Sequence, residues 1–491
     1  MLFNSFNFIV FFAAITILYY IFPYKLRWVL LLAGSYYFYM CWKPEFIVLL
    51  VFITFLNYIS ARAIYSAGGK KNKKTILFIS LVLNFGILFV FKYMNFFSQS
   101  VSDAMALLDM HYAVKEFDII LPMGISFFTF QAASYTIDVY KGKIKPVKHY
   151  GKFSLFISFF PQLVAGPIER SENLLPQFYK KHRFSMAKTV DGLKIMLWGF
   201  FKKVVIADRA AIAVNTVFNG CEYYSGLYLV LASLLFTVQI YCDFSGYSDI
   251  AKGSAKVLGF DLMDNFKRPF ISKNIKEFWK RWHVSLSSWF MDYVYIPLGG
   301  NRKGNLMKYR NLLITFMVSG LWHGAAWTFV IWGGIHGVLL VVYNIFAPAL
   351  YKIKTALGID KSRILSSAYG FFAAVVTFGF VVFAFIFFRA NSLEDALYII
   401  SHMLWNFRIW NTPQYLFDVF TGMGIGIFEW KILICAVIFL MGTEILCGED
   451  IHKTIGRRNI ILRLAFYGIA ALFVLLAGVF YNAGEFIYFQ F

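Results

Sequence analysis

The stretch NLLITFMVSGLWHGAAWTFVIWGGIHGVLLVVYNIFA, residues 311–347, runs for 37 residues without a Lys, Arg, Asp or Glu. A bilayer accommodates such a run, because about 20 consecutive apolar residues suffice to cross its hydrocarbon core. Polar groups embedded at that depth are costly and default to functional candidates. His323 is the clearest, within Ser319-Gly-Leu-Trp322-His323-Gly-Ala-Ala-Trp327, with glycine on either side and two flanking tryptophans. Glycines let backbones approach closely. His336, in Gly333-Gly-Ile-His336-Gly337, is the second histidine of the run and the weaker candidate.

Outward from this stretch the same pattern continues. The 491 residues are 59% apolar and 20% aromatic, and only 15% are charged. A soluble chain carries about 25% charged residues and would expose large apolar patches with this composition. The net charge of +21 comes from short basic clusters between apolar runs, which is how membrane topology is written. It is not a basic groove, and no nucleic-acid motif accompanies it. Five scattered cysteines, Cys41, Cys221, Cys242, Cys435 and Cys447, give no disulfide framework and no zinc knuckle. The first charge, Lys25, follows the first apolar run instead of preceding it, unlike a cleavable signal.

The charge pattern predicts an orientation. Gly69-Lys70-Lys71-Asn72-Lys73-Lys74 anchors the cytoplasmic side, and Ile76–Phe97 carries the chain outward to the acidic loop with Asp103, Asp109, Glu116 and Asp118. Ile119–Tyr140 returns to a lysine-rich stretch. Phe153–Ala165 is too short to span and contains Pro161, so it reads as a re-entrant or interfacial segment that must be buried in protein. Residues 193–213 count as a span despite Lys202 and Lys203, and residues 390–429 read as a long outer loop. The expectation is an all-α polytopic bundle of about 11–13 transmembrane helices, both termini outside, forming a single domain over 1–491.

Two further centres stand out. The stretch Arg268–Trp289 places Phe278, Trp282, Leu286 and Trp289 at helical spacing, with Lys276, Glu277, Lys280 and Arg281 opposite. This predicts an amphipathic helix at the cytoplasmic interface, with His283 at its border. The turn-rich tail that follows, Gly299-Gly-Asn301-Arg302-Lys303-Gly304, suits a phosphate, although it lacks a nucleotide-loop pattern. The other centre, Gln239-Ile-Tyr-Cys-Asp243-Phe-Ser-Gly-Tyr-Ser-Asp249, sets two carboxylates at the end of an apolar run, which suits a polar pocket or paired interface residues. A buried neutral histidine can take a proton from an attacking hydroxyl. There is no His-Glu-x-x-His and no close His/Cys grouping, so no metal site is expected. A Gly-x-Ser-x-Gly elbow is also missing.

These texts resemble the membrane-bound O-acyltransferase family, and more narrowly its bacterial alginate O-acetyltransferase branch. The resemblance rests on SLSSW…DYVYIPLGGNRKG after His283, SGLWHGAAWTFVIWGGIHG around His323, LPMGISFFTFQAASYTIDVYKG (121–142), FFPQLVAGPIERSENLLPQF (159–178), QIYCDFSGYSDIAKGSAKVLGF (239–260) and the terminal FIYFQF (486–491). The core motifs fall within 121–347, and Met291 stands where an arginine is expected. The resemblance implies a helical bundle around a central funnel, lined by candidates Trp322, Trp282, Asp243, Asp249, Asn301, Arg302 and His336. It implies His323 as the catalytic histidine and His283 as a supporting one. It further implies a cytoplasmic acyl thioester, acetyl-CoA, as donor substrate with no bound cofactor, and a polysaccharide acceptor outside a bacterial inner membrane. The expected partner, besides membrane lipid, is a periplasmic or surface acyltransferase of the SGNH type with a serine nucleophile.

The aromatic tail, residues 483–491, adds a mechanistic expectation. Tyr488 carries the one hydroxyl of Phe486–Phe491. In relatives that D-alanylate teichoic acids a separate small protein carries a similar tail, so Tyr488 is expected to hold the acyl group transiently after activation by His323. The alternatives are an interfacial aromatic anchor at Tyr488, D-alanyl transfer, and, from other classes, a proton-coupled transporter or an inactive scaffold.

Overall fold

The computed structural model of the chain describes residues 1–110, 117–164, 166–480 and 486–487. Of the expected tail, Phe486 and Ile487 are described, and Tyr488 lies outside the described residues with 483–485 and 489–491. The described residues are helical throughout and contain no strand. Among the described residues, seven helices are long and apolar enough to cross a membrane: Pro44–Ser66, Lys70–Ala106, Leu227–Val257, Trp327–Ala356, Arg363–Arg389, Ile427–Cys447 and Ile460–Ala477. Helices suit this solvent because every backbone group is satisfied within its own segment. The protein is a multi-pass helical membrane protein, and it divides into two compact units, Met1–Met196 with Ser248–Met263, and Leu197–Tyr247 with Asp264–Phe491.

In the first unit, polar side chains join helices that hydrophobicity alone cannot hold together in lipid. Asn57 Nδ2 donates to Asn84 Oδ1 at 2.8 Å, and Thr136 Oγ1 donates to Asn57 Oδ1 at 2.8 Å. The short run after Lys152 is broken, into Tyr150–Ser158 and Phe160–Leu163, with both pieces packed inside protein. Side chains satisfy its interrupted backbone. The carbonyl of Phe156 accepts from Gln131 and Gln162 at 2.8 and 2.7 Å, and Phe160 N–H donates to Ser35 Oγ at 3.0 Å. Each of these backbone groups would otherwise be an orphan in an apolar setting.

In the second unit the 311–347 run folds back on itself. Gly304–His323 and Trp327–Ala356 form a helical hairpin joined by Gly324, Ala325 and Ala326. Its helices touch through glycines. A Cβ on Gly320 would lie 2.1 Å from the Phe329 carbonyl oxygen, and one on Gly333 would lie 2.2 Å from that of Phe316. Neither backbone can yield without opening the hairpin. Gly320→Val should therefore destabilise by about 1–3 kcal/mol through overpacking, read as a loss of several degrees in Tm in detergent. Gly334→Ala, where a Cβ meets nothing within 4 Å, should leave Tm unchanged or raise it.

Two expectations are corrected here. Residues 390–429 are not simply loop, since Leu393–His402 and Pro413–Gly422 are helices, the first capped by Ser392 Oγ accepting from Asp395 N–H. Arg389 secures this region to Asn215 and Asn219, at 2.8 Å each. The amphipathic helix expected within Arg268–Trp289 is interrupted. Ile275–Arg281 and Val284–Phe290 meet at His283, whose backbone is left-handed (φ 43°, ψ 55°). Its apolar stripe of Phe278, Trp282, Leu286 and Trp289 is buried in protein and does not lie along an interface.

Candidate functional site

His323 is the last residue of its helix, so the hairpin carries it at the tip. The glycine contacts that close the hairpin also set this tip, and Gly324 admits the Phe329 ring where a side chain would collide. The imidazole is 3% exposed. Around it stand the rings of Trp322 (centroids 4.9 Å), Trp332 (5.0 Å) and Phe388 (5.3 Å).

His283 faces this tip. Its ring centroid is 6.4 Å from that of His323 and 6.2 Å from Trp322. Each ring nitrogen lies about 1 Å from its centroid, so the gap is too wide for a direct nitrogen–nitrogen hydrogen bond but fits one bridging oxygen, about 3 Å from each ring. A left-handed non-glycine residue costs about 1–2 kcal/mol. Such strain concentrates at functional sites, and here it falls where the two short helices meet, at the residue whose ring contacts Trp322 and His323. His283 is fully buried, and burial pushes it down to about 3. It is therefore neutral at ordinary pH, able to donate from one nitrogen and accept at the other.

Trp282, adjacent in sequence, belongs to the packing. Its ring contacts Phe266 (5.1 Å), Phe278 (5.4 Å) and Phe385 (5.4 Å). His336 lies behind Trp332, with ring centroids 5.0 Å apart, and its Nδ1 accepts from Trp279 Nε1 at 3.3 Å. That bond places the His336 proton on Nε2. Trp332 separates this histidine from His323, so the geometry gives His336 a supporting position. Trp279, Trp332, Phe388 and Phe244 pack around these histidines and are not among the candidates read from the sequence. Aromatic residues are so frequent in this chain that none stood out.

Asp243 lies near the pair through Phe244, whose ring meets His283 at 4.5 Å. The Asp243 carboxylate is buried against Lys203 Nζ at 2.6 Å, and Lys203 also meets Asp208 at 2.8 Å. Sequence reading took Lys203 as an interruption of a span. Residues Phe201–Ala207 form a π-helical turn. Its i to i+5 spacing places Lys203 and Asp208 on one face, where α-helical spacing would set them apart. Gly246 lets the Leu227–Val257 helix approach, since a Cβ there would lie 2.8 Å from the Gly199 carbonyl oxygen. Asp249 is six residues further along that helix, about 240° around it, and half-buried in the first unit.

Asn301 and Arg302 line a cavity of about 600 Å³ in the second unit, with Lys276, Lys280 and Lys308. Trp279, Phe316 and Ser319 extend the wall toward the hairpin, and Met291 also lines it. Among the described residues no carboxylate lines this cavity. Gly299 and Gly300, with φ of 108° and 58°, make the turn that holds Asn301, and Asn311 Nδ2 fastens the Gly300 carbonyl at 2.9 Å. Four cations and a deep aromatic wall suit an anionic ligand with a thin tail.

The sequence profile of the membrane-bound O-acyltransferase family matches residues 147–357, which contain both histidines. The chain is 37% identical over 422 residues to a probable alginate O-acetylase of Pseudomonas aeruginosa, covering 85% of this chain and 77% of that protein. It is 36% identical over 400 residues to a peptidoglycan O-acetyltransferase of Helicobacter pylori, covering 76% and 73%. Similarity to a teichoic acid D-alanyltransferase of Bacillus subtilis is 32% over 286 residues, 55% of this chain and 69% of that one.

Proposed function

Since this chain belongs to the membrane-bound O-acyltransferase family and is an acyltransferase, we propose that it takes an acetyl group from acetyl-CoA and delivers it for O-acetylation of a polysaccharide outside the inner membrane of a bacterium. The observation that carries this reading is the pair of buried histidines, His323 at the tip of an uncharged hairpin and His283 at 6.4 Å across from it. The cavity lined by Lys276, Lys280, Arg302 and Lys308 supports a phosphate-bearing thioester as donor, since four cations suit its phosphates. Relatives named for alginate and peptidoglycan acetylation support acetyl and a glycan; the D-alanyl reading has the shorter match.

The steps follow from the groups present. His323 removes the proton of the attacking hydroxyl, proposed to be that of Tyr488, as the oxygen bonds to the thioester carbonyl carbon. The carbon–sulfur bond breaks, and the imidazolium returns the proton to the leaving thiolate. The products are a thiol and an acetyl ester of tyrosine. His283, neutral and opposite, donates a hydrogen bond to the oxyanion between the rings. A hydroxyl of the glycan, or the serine of an extracytoplasmic SGNH-type partner, then takes the acetyl group and restores the tyrosine. Both chain termini face outward in this scheme.

Purified protein incubated with acetyl-CoA should carry an acetyl group on the Tyr488 peptide by mass spectrometry. A His323→Gln variant treated identically should not. Equal labelling of both proteins would remove His323 from its role, and labelling of another residue would remove Tyr488.

A further inference from the structure

The last membrane helix, Ile460–Ala477, ends beside the π-helical turn, and the described residues beyond it, 478–480 and 486–487, hold contacts with the second unit. Arg209, itself paired with Glu429, donates from Nη2 to the Ala477 carbonyl at 2.7 Å. Val479 N–H donates to the Val204 carbonyl at 2.9 Å. Ile487 N–H donates to Asp243 Oδ2 at 2.8 Å. Phe486 and Ile487 are 1% and 2% exposed. The Phe486 ring packs on Tyr247 at 4.6 Å and on Phe244 at 5.7 Å, and Phe244 is the residue against His283.

A buried carboxylate is held at a cost unless both oxygens are satisfied. Asp243 spends one on the Lys203 ammonium and the other on a single backbone N–H, 244 residues away in sequence. Lys203 in turn is shared with Asp208. The acceptor is thus fixed in place by a charge cluster on two helices.

We propose that Asp243, fixed by Lys203, is a positioning residue that clips Phe486–Ile487 beside the histidine pair and thereby sets the reach of the residue that follows, Tyr488. This rests on the acyl-tyrosine reading for its functional consequence, but the clip itself does not. Charge-assisted hydrogen bonds to backbone N–H are among the stronger single contacts, and this one joins the segment to the site.

Hydrogen–deuterium exchange of the full-length protein in detergent, read on the C-terminal peptide, tests it together with glycan acetylation in cells. Asp243→Ala should speed exchange of that peptide at least tenfold, leave the Ile460–Ala477 helix unchanged, and lower acetylation at least tenfold. Ile487→Pro removes the donor without touching the buried charges, and should lower acetylation and free the neighbouring amides equally. It serves if Asp243→Ala does not fold. Tyr488→Phe should keep the peptide protected while losing acetylation. Unchanged exchange in both clip variants overturns the clip. Faster exchange with full acetylation overturns its positioning role. A protected and fully active Tyr488→Phe overturns the relay and leaves the clip supported.

Discussion

His323→Gln is expected to reduce polysaccharide acetylation about 10²–10⁴-fold, the range a positioned acid–base group contributes, with little change in Tm. Glutamine retains a polar amide of similar reach but cannot carry a proton between the attacking hydroxyl and the leaving sulfur. Its surroundings explain why no neighbour would substitute. Trp322, Trp332 and Phe388 pack around the imidazole, and these rings carry no group that shuttles a proton at neutral pH. His336 is on the far side of Trp332 and already accepts from Trp279. Acetylation measured in cells and thioester consumption measured with purified protein should fall together. A variant that stays within threefold of wild type in both assays would mean that His323 is a packing residue and that the proton goes elsewhere.

The second large effect is expected at Tyr488→Phe, which removes one oxygen. Under the relay, glycan acetylation should drop to background, while membrane insertion, abundance and Tm stay at wild-type values. Phenylalanine preserves an aromatic anchor, so the interfacial reading of the same residue predicts full activity instead. The two readings therefore separate in one measurement. Tyr488→Phe should also still bind donor, because Lys276, Lys280, Arg302 and Lys308, the cations of the cavity, are untouched by the substitution. Retained binding of acetyl-CoA with lost transfer places the defect at the acceptor step. Loss of binding would show that the tail contributes to the donor site.

Much of this protein is legible one residue at a time, because lipid imposes a rule on local composition. Apolar runs with basic borders mark it as a polytopic helical membrane protein, and a histidine within 37 uncharged residues marks a site wherever it folds. The resemblance of ordered motifs added the family. What sequence alone did not determine depends on partners distant in the chain or on backbone departures from regular helix. The uncharged run is a hairpin, because Gly320 and Gly333 admit opposing carbonyls and the break at Gly324–Ala326 turns the chain. His283 reaches the tip through a left-handed backbone that helical periodicity cannot anticipate. Lys203 looked like an obstacle to a span and is the centre of an ion cluster, because a π-helical turn aligns it with Asp208 and a glycine contact brings Asp243. Residue type and spacing carry the cost of burying a group, so sequence tells that a polar residue in such a run needs a partner. Which partner it finds is set by how helices hundreds of residues apart pack, and only the tertiary structure decides that.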